Sequence, residues 1–237
     1  MTDQIERRDF IQGVGVLAGA AVAVTTLNQP AFSQTGSKPM TYEPKPLSLD
    51  PKAIKGISEK VLVSHYDNNY VGAVKRLNAI GAQLADLDFS KAPNFVINGL
   101  KREELIATNS MILHELFFDG LGDESDPGKD LGAAIARDFG SFDRWRAEFI
   151  AMGKALGGGS GWVLLSYSPR DGKLVNQWAA DHCHTLAGGQ PILALDMYEH
   201  SYHIDYGAKA ATYVDTYMHA IRWSNADRLF ASFASKR

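Results

Sequence analysis

The chain has 237 residues, 45% of them hydrophobic, and a formal net charge of −3. This composition suits one or two globular domains with a sizeable core and excludes disordered and collagen-like proteins. The near balance of charge argues against a protein that coats nucleic acid, which usually carries a clear basic excess. A single cysteine, Cys183, excludes an internal disulfide and a CxxC motif, and we interpret it as a small structural residue.

The first 33 residues have the pattern of an export signal. Arg7 and Arg8 precede an apolar stretch over residues 13–27, which is short for a bilayer-spanning helix of roughly 20 residues. Small residues and the segment AFS follow, as at a signal cleavage site. The paired arginines resemble a twin-arginine signal. We therefore predict export of the folded protein to the periplasm or the exterior, with cleavage after Ser33. An ordinary Sec signal and an uncleaved anchor are the alternatives.

Two helices are predicted in the first half of the mature chain. Residues 34–51 are rich in Pro, Ser, Lys and Thr and indicate an extended arm. Over residues 58–84, apolar residues recur mostly at three- and four-residue intervals, with Ser58 as the helix start. After a loop over residues 86–99, a second helix is predicted over residues 101–121, ending in glycines. The short connection predicts an antiparallel hairpin.

The second half of the chain mixes helices and short strands. Residues 131–156 predict one or two helices, with Ser141 as an N-cap. Two apolar strands separated by a turn over residues 169–172 follow, and GQPILALD predicts a third strand. The helical pattern returns from Tyr198.

The predicted fold class is therefore α+β. It has an N-terminal antiparallel helical hairpin over residues 34–125. A C-terminal domain over residues 126–237 has a small antiparallel three-stranded sheet flanked by helices. Residues 1–33 form the signal peptide.

Four ligand-type side chains are placed so that they can converge. His65 and His114 each lie in the apolar stripe of one predicted helix, so both can face one point inside the hairpin. Asp196 ends a buried strand, where an unpaired carboxylate is costly, and His200 follows four residues later. Three imidazoles and one carboxylate around a cation suit iron or manganese. Zinc fits less well, because no general base for a metal-bound water is evident.

Several motifs, in order, resemble the iron/manganese superoxide dismutase family over nearly the whole mature chain. DMYEHSY is similar to the family's D-x-W-E-H-x-Y signature, and ISEKVLVSHYDNNYVGAVKRLN to its first metal-binding helix. MILHELFF, IARDFGSFDRWRAEF and GGGSGWVLL are similar to its second-ligand segment, mid-chain helix and first strand. The resemblance implies one Fe or Mn ion per subunit, in a trigonal bipyramid completed by water or hydroxide, with these ligands: His65, His114, Asp196 and His200.

The resemblance also implies the activity and the assembly. Superoxide would be converted to dioxygen and hydrogen peroxide by redox cycling of the metal. The protein would be a homodimer or homotetramer, in which Glu199 bridges to His200 of the partner subunit and orients that imidazole. No nucleic acid partner and no membrane contact beyond the export signal are expected.

Several residues depart from the family's pattern. Ala73 stands where the channel tyrosine is usual, Asn69 replaces the usual histidine, and Tyr198 replaces the tryptophan of the signature. His203 stands at the position of the second tyrosine after the last ligand. We predict that His203 of one subunit bonds Asn69 of the other.

The residue expected to bond the metal-bound solvent is His182, with His184 as the weaker candidate. In this interpretation His182 tunes the pKa of the metal-bound water and the reduction potential of the metal. Protons are relayed through His182 and through Tyr70 or Tyr66. Ser110 stands where the glutamine of iron-type members would come from.

Two alternative functions stay open. The first is a peroxidase-like or oxygen-activating enzyme, in which Ala73 opens the channel and lets a molecule larger than superoxide reach the metal. The other alternative is a secreted metal-binding protein without turnover. Because superoxide is an anion, local positive charge from Lys75 and Arg76 is expected to matter more than the net charge.

Overall fold

The computed structural model describes residues 39–235, so the predicted export signal over residues 1–33 lies outside the described residues. The described chain begins as an extended arm and first becomes helical at Glu59. No helix in this part of the chain is both long and apolar enough to cross a bilayer.

The first predicted helix is confirmed, but it is not a uniform α-helix. It consists of α1 (Glu59–Ser64), a π-helical segment (His65–Tyr70) and α2 (Val71–Ala85). Ser58 caps its start by accepting a hydrogen bond from the main-chain N–H of Val61. The π-helical segment was not predicted, and it carries His65.

The second helix, α3 (Asn94–Asp119), begins earlier than the sequence predicted. The predicted loop over residues 86–99 is wrong from Asn94 onward, because Pro93 ends the loop and its carbonyl accepts the first helical hydrogen bonds. Half-buried side chains give this first part of α3 an inward face: Val96, Ile97 and Leu100. Gly120 caps the far end, and α3 packs along α2.

The predicted helical region in the middle of the chain forms two helices, α4 (Lys129–Phe139) and α5 (Phe142–Ala155). Gly140 separates them with a φ of 89°, which favours glycine. The side chain of Ser141 accepts a hydrogen bond from Arg144 N, as the sequence predicted for an N-cap.

The predicted three-stranded antiparallel sheet is confirmed, and with it the α+β fold class. It contains β1 (Trp162–Ser168), β2 (Lys173–Ala179) and β3 (Gln190–Asp196), in the order β2-β1-β3. Trp162 pairs with Asp196, so the start of β1 lies beside the end of β3. Every residue of β1 is buried, which places this strand in the core.

Short helical elements follow β3: a 3₁₀ turn (Glu199–Ser201), α6 (His203–Tyr206), α7 (Ala210–Tyr217) and α8 (Trp223–Ala234). Both α3 and α8 pack on β3. An isolated bridge between Leu121 and Ile221 joins the end of α3 to the chain before α8. The end of β3 therefore lies beside the helix that carries His114.

Candidate metal centre

The turn after β3 fixes the orientation of Asp196. Tyr198 N donates to Asp196 Oδ1 at 2.8 Å, and Ser201 Oγ donates to the main-chain carbonyl of Asp196 at 2.9 Å. Because Oδ1 is held by the main chain, the other carboxylate oxygen, Oδ2, is left to face His200, which lies 3.3 Å away.

Three imidazoles converge on that oxygen. The Nε2 atoms of His65, His200 and His114 lie 3.0, 3.3 and 3.6 Å from Asp196 Oδ2. One ligand atom from each of the four residues lies within 4.8 Å of the others. The side chains of His65, His114 and Asp196 are buried, and that of His200 is 26% exposed. The structure thus brings the four predicted ligands together.

The hydrogen bonds of His114 show that the cluster fits a cation. Its Nδ1–H donates to the main-chain carbonyl of Ser110 at 2.6 Å, so Nε2 carries the lone pair. Within residues 39–235 this buried Nε2 has no hydrogen-bond partner, which is unusual and calls for an unseen partner. Two atoms that are each bound at about 2.1 Å to one ion lie roughly 3.0–3.6 Å apart when the ligand–metal–ligand angle is about 90° to 120°. The distances from the three Nε2 atoms to Asp196 Oδ2 fall in this range.

The protonation states also suit a cation. Burial lowers the pKa of His114 to about 3, and His65 acts in the same direction. Burial also lowers the pKa of His65. For Asp196, burial opposes ionisation, but the interactions with His200 and His65 outweigh it and hold the pKa well below its usual value. The neutral imidazoles of His65 and His114 beside an ionised carboxylate are N/O donors of the kind that iron and manganese accept.

A cavity of about 350 Å³ opens onto His114 and His200. Its wall includes Asn69 and Ala73, the two positions where the sequence departs from the family on the first helix. Gly72 lies beside them, and a Cβ placed there would meet no atom within 4 Å. At these two positions the wall carries side chains that are smaller than the histidine and tyrosine of the family's pattern, and the four ligand-type residues still converge.

His182 lines the same cavity and is held firmly. Trp162 Nε1 donates to His182 Nδ1 at 3.0 Å, so the other ring nitrogen, Nε2, carries the proton. Burial lowers the pKa of His182. Asn109 Nδ2 donates to the main-chain carbonyl of His182 at 2.5 Å. Sequence reasoning missed Trp162 and Asn109; the motif GGGSGWVLL contained Trp162 but gave no sign of its partner.

Tyr198 occupies the space between two histidines. Its ring is nearly parallel to that of His182, at 4.8 Å and 13°, and to that of His200, at 5.2 Å and 17°. His184, the weaker candidate, instead contacts Asp181 at 2.9 Å and is half exposed. The structure therefore places His182, and not His184, beside the ligands.

Tyr70 lies against the extended arm and not at the cavity. Its hydroxyl accepts a hydrogen bond from Lys45 N at 2.8 Å and donates to Glu115 Oε1 at 3.0 Å. Tyr66 donates to the carbonyl of Lys45 at 2.7 Å. Burial raises the pKa of Tyr70 to about 12. This placement does not support the proton relay predicted for either tyrosine.

The two residues expected at a subunit interface are Glu199 and His203. Both are exposed on the described chain. Their contacts with a second subunit, and the pairing of His203 with Asn69, stay predictions.

Comparison with known proteins agrees with the geometry. Residues 127–229 match the family of iron/manganese superoxide dismutases, C-terminal domain. The chain is 69% identical over 193 residues to an iron superoxide dismutase of Cupriavidus metallidurans, covering 81% of this chain and 98% of that protein. It is 35% identical over 201 residues to manganese superoxide dismutase 1 of Halobacterium salinarum, covering 82% and 98%.

The fold and the cluster together define a mononuclear N/O metalloprotein whose ligands come from two packed helices and the turn after a sheet strand. The chain belongs to the iron/manganese superoxide dismutase family.

Proposed function

We propose that the protein is a superoxide dismutase with one iron or manganese ion per subunit, held by His65, His114, Asp196 and His200. The observation that carries the proposal is the convergence of three Nε2 atoms on Asp196 Oδ2, with His114 Nε2 lacking any other partner among the described residues. Iron- and manganese-type relatives both match the chain.

The overall reaction joins two superoxide anions and two protons to give dioxygen and hydrogen peroxide. When bound, the metal ion supplies the one-electron oxidation of one superoxide and the one-electron reduction of the next. Asp196 and the three imidazoles hold the ion, and the cavity admits the anion. His182 lines this cavity beside His114 and His200 and carries its ring proton on Nε2. Since Trp162 fixes that tautomer, His182 is positioned to donate a hydrogen bond to an oxygen species there.

The direct test is the decay of superoxide on protein of known metal content. Separate preparations reconstituted with iron and with manganese are mixed with superoxide in a stopped-flow instrument, with metal-free protein as the control. Decay that scales with metal content supports the proposal and ranks the two metals. Fully loaded protein that leaves the spontaneous decay unchanged would refute it and favour a metal-binding protein without turnover.

A second candidate, a peroxidase-like activity, is favoured by the size of the cavity. Its volume of about 350 Å³ far exceeds the roughly 30 Å³ that one water occupies in the liquid. An organic hydroperoxide would be reduced to its alcohol and water by one electron and one proton from each of two molecules of an added phenol, which become phenoxyl radicals. Phenol oxidation that requires both the metal and the hydroperoxide supports this candidate.

We also propose that residues 1–33 are a twin-arginine export signal that delivers the folded protein to the periplasm or the exterior. The paired arginines and the short apolar stretch support it. Replacing both Arg7 and Arg8 by lysine should retain the protein in the cytoplasm. Export that survives this change would indicate the Sec alternative.

The mature chain is proposed to consist of two domains, over residues 34–125 and 126–237, and to assemble as a homodimer or homotetramer. The exposed Glu199 and His203 support the assembly. Light scattering gives the mass of the assembly, and Glu199→Ala should shift it toward the monomer. An unchanged mass would contradict the bridge from Glu199 to His200 of the partner subunit.

A further inference from the structure

The cavity carries its positive charge at one residue. Arg76 lines the wall, and among the described lining residues it alone has a permanently charged side chain. Asparagines and small or apolar residues surround it on the wall: Asn68, Asn69, Gly72, Ala73, Ile106 and Ala107. In a chain with a net charge of −3, an anion that approaches the metal site meets this local positive charge. A cleft lined by one sign of charge concentrates the opposite ion.

Arg76 is not free, because Glu103 on α3 reaches it. Glu103 Oε2 lies 3.4 Å from Arg76 Nη2, and Glu103 Oε1 lies 3.3 Å from Arg102 Nη1. One carboxylate therefore stands between two guanidinium groups. Arg76 and Arg102 are 59% and 58% exposed, and Glu103 is 35% exposed. Ion pairs of such exposure are weak, so Glu103 reduces the charge of Arg76 without locking it in place.

Arg76 lines the same cavity as the metal-ligand candidates His114 and His200. An anion that enters this cavity is therefore attracted by the positive charge of Arg76. Removing Glu103 would strengthen that attraction and removing Arg76 would weaken it.

We propose that Arg76 collects anions for the metal site and that Glu103, shared between Arg76 and Arg102, limits this attraction. The inference rests on the proposed function, because it names the residues that set how fast superoxide reaches the metal. Neither residue touches the reacting atoms. Both act on the rate at which the anion reaches the metal site, and neither is a catalytic residue.

The test compares Arg76→Gln, Glu103→Gln and the matched control Glu104→Gln on metal-loaded protein of equal metal content. Glu104 adjoins Glu103, pairs with Lys101 and lines a different cavity, beside Pro39 and Tyr42. Its replacement changes the net charge by the same amount as Glu103→Gln does. A single charge near the path of a univalent anion changes the encounter rate roughly twofold at low ionic strength.

We expect kcat/KM for superoxide to fall about twofold in Arg76→Gln and to rise about twofold in Glu103→Gln. Glu104→Gln should stay close to the wild type. All differences should shrink as the ionic strength rises to about 0.15 M and above, because salt screens exposed charges. Equal rates for Glu103→Gln and Glu104→Gln, or no change in Arg76→Gln, would overturn the inference while leaving the proposed function standing.

A second readout does not depend on turnover. The affinity of the metal-loaded protein for azide, followed by absorption spectroscopy, should weaken in Arg76→Gln and strengthen in Glu103→Gln, again about twofold. If the wild type fails to dismutate superoxide, the proposed function falls, and the azide titration still decides the inference. An azide affinity that is the same in all four proteins would refute it.

Discussion

The two helices that carry His65 and His114 have one side closed by polar contacts and one side open. On the arm side, Tyr66 and Tyr70 bind both main-chain polar groups of Lys45, and Glu115 binds Tyr70 and the ammonium of Lys45. On the cavity side, small or short side chains leave about 350 Å³ of space.

This difference separates two tasks. Tyr66 directly follows His65 in sequence, and Glu115 directly follows His114, so each contact on the arm side fixes the helical turn of one ligand. The cavity side carries Ala73, which takes no part in the hydrogen bonds and the ion pair of the arm side. We infer that ligand geometry and substrate access are controlled from opposite sides of the same helices. Below, the two predictions for His114 test the ligand cluster between these sides, and the predictions for Tyr70 and Ala73 test one side each.

The largest effect is expected from His114→Ala. Without this imidazole, the buried carboxylate of Asp196 and the two remaining histidines bind the metal much more weakly, and superoxide decay should fall by at least about 100-fold. Metal content per subunit, measured by mass spectrometry on folded protein, is the primary readout. His184→Ala, an exposed histidine outside the cluster, is the control. Full metal content in His114→Ala would show that the cluster is not the metal site.

The next largest effect is a loss of stability of the metal-free protein as the pH falls. Because burial holds the pKa of His114 at about 3, the folded state resists a proton that the unfolded state accepts below about pH 6.5. Unfolding is therefore favoured progressively as the pH falls from 6.5 toward 3, and His114 alone should cost roughly 2 kcal/mol between pH 7.5 and pH 5. Urea titrations at the two pH values measure it. An identical pH dependence in His114→Gln would contradict this origin.

The ligand cluster was predictable from the sequence because its signals are local. His65 and His114 lie in apolar stripes, and Asp196 and His200 flank the turn at the end of an apolar strand. Periodicity places these residues at positions that can face one buried point, and the resemblance to the family identifies them as a ligand set. The start of α3 was misplaced because Pro93 and Gly99 obscure the helical pattern.

The surroundings of the cluster were not predictable, because they depend on contacts distant in sequence. The π-helical turn at His65 changes the hydrogen-bond register and not the spacing of apolar residues. The choice of His182 over His184 is made by Trp162, which donates to His182 from the start of β1. The direction of the Tyr70 hydroxyl is decided by Lys45 in the arm.

A smaller effect is expected on the arm side from Tyr70→Phe. The change removes the hydroxyl that accepts from Lys45 N and donates to Glu115. Because water can reach part of this contact, the free energy of unfolding should fall by about 1 kcal/mol. Denaturant unfolding measures the loss, and the rate of metal release to a chelator should rise. Tyr42→Phe is the control, since Tyr42 contacts Asn78 through its main chain. Equal losses in the two variants would show that the arm contact does not position the ligands.

A small effect on superoxide decay is expected on the cavity side from Ala73→Tyr. The new side chain would occupy space in the wall and narrow the approach to His114 and His200, yet superoxide remains small enough to pass. Its decay should change by no more than about threefold, whereas any metal-dependent turnover of cumene hydroperoxide should fall by at least about tenfold. Gly72→Ala is the control, because its added Cβ meets no atom within 4 Å. If both activities fell together in Ala73→Tyr, the open side would serve catalysis itself, and the separation of ligand geometry from access would fail.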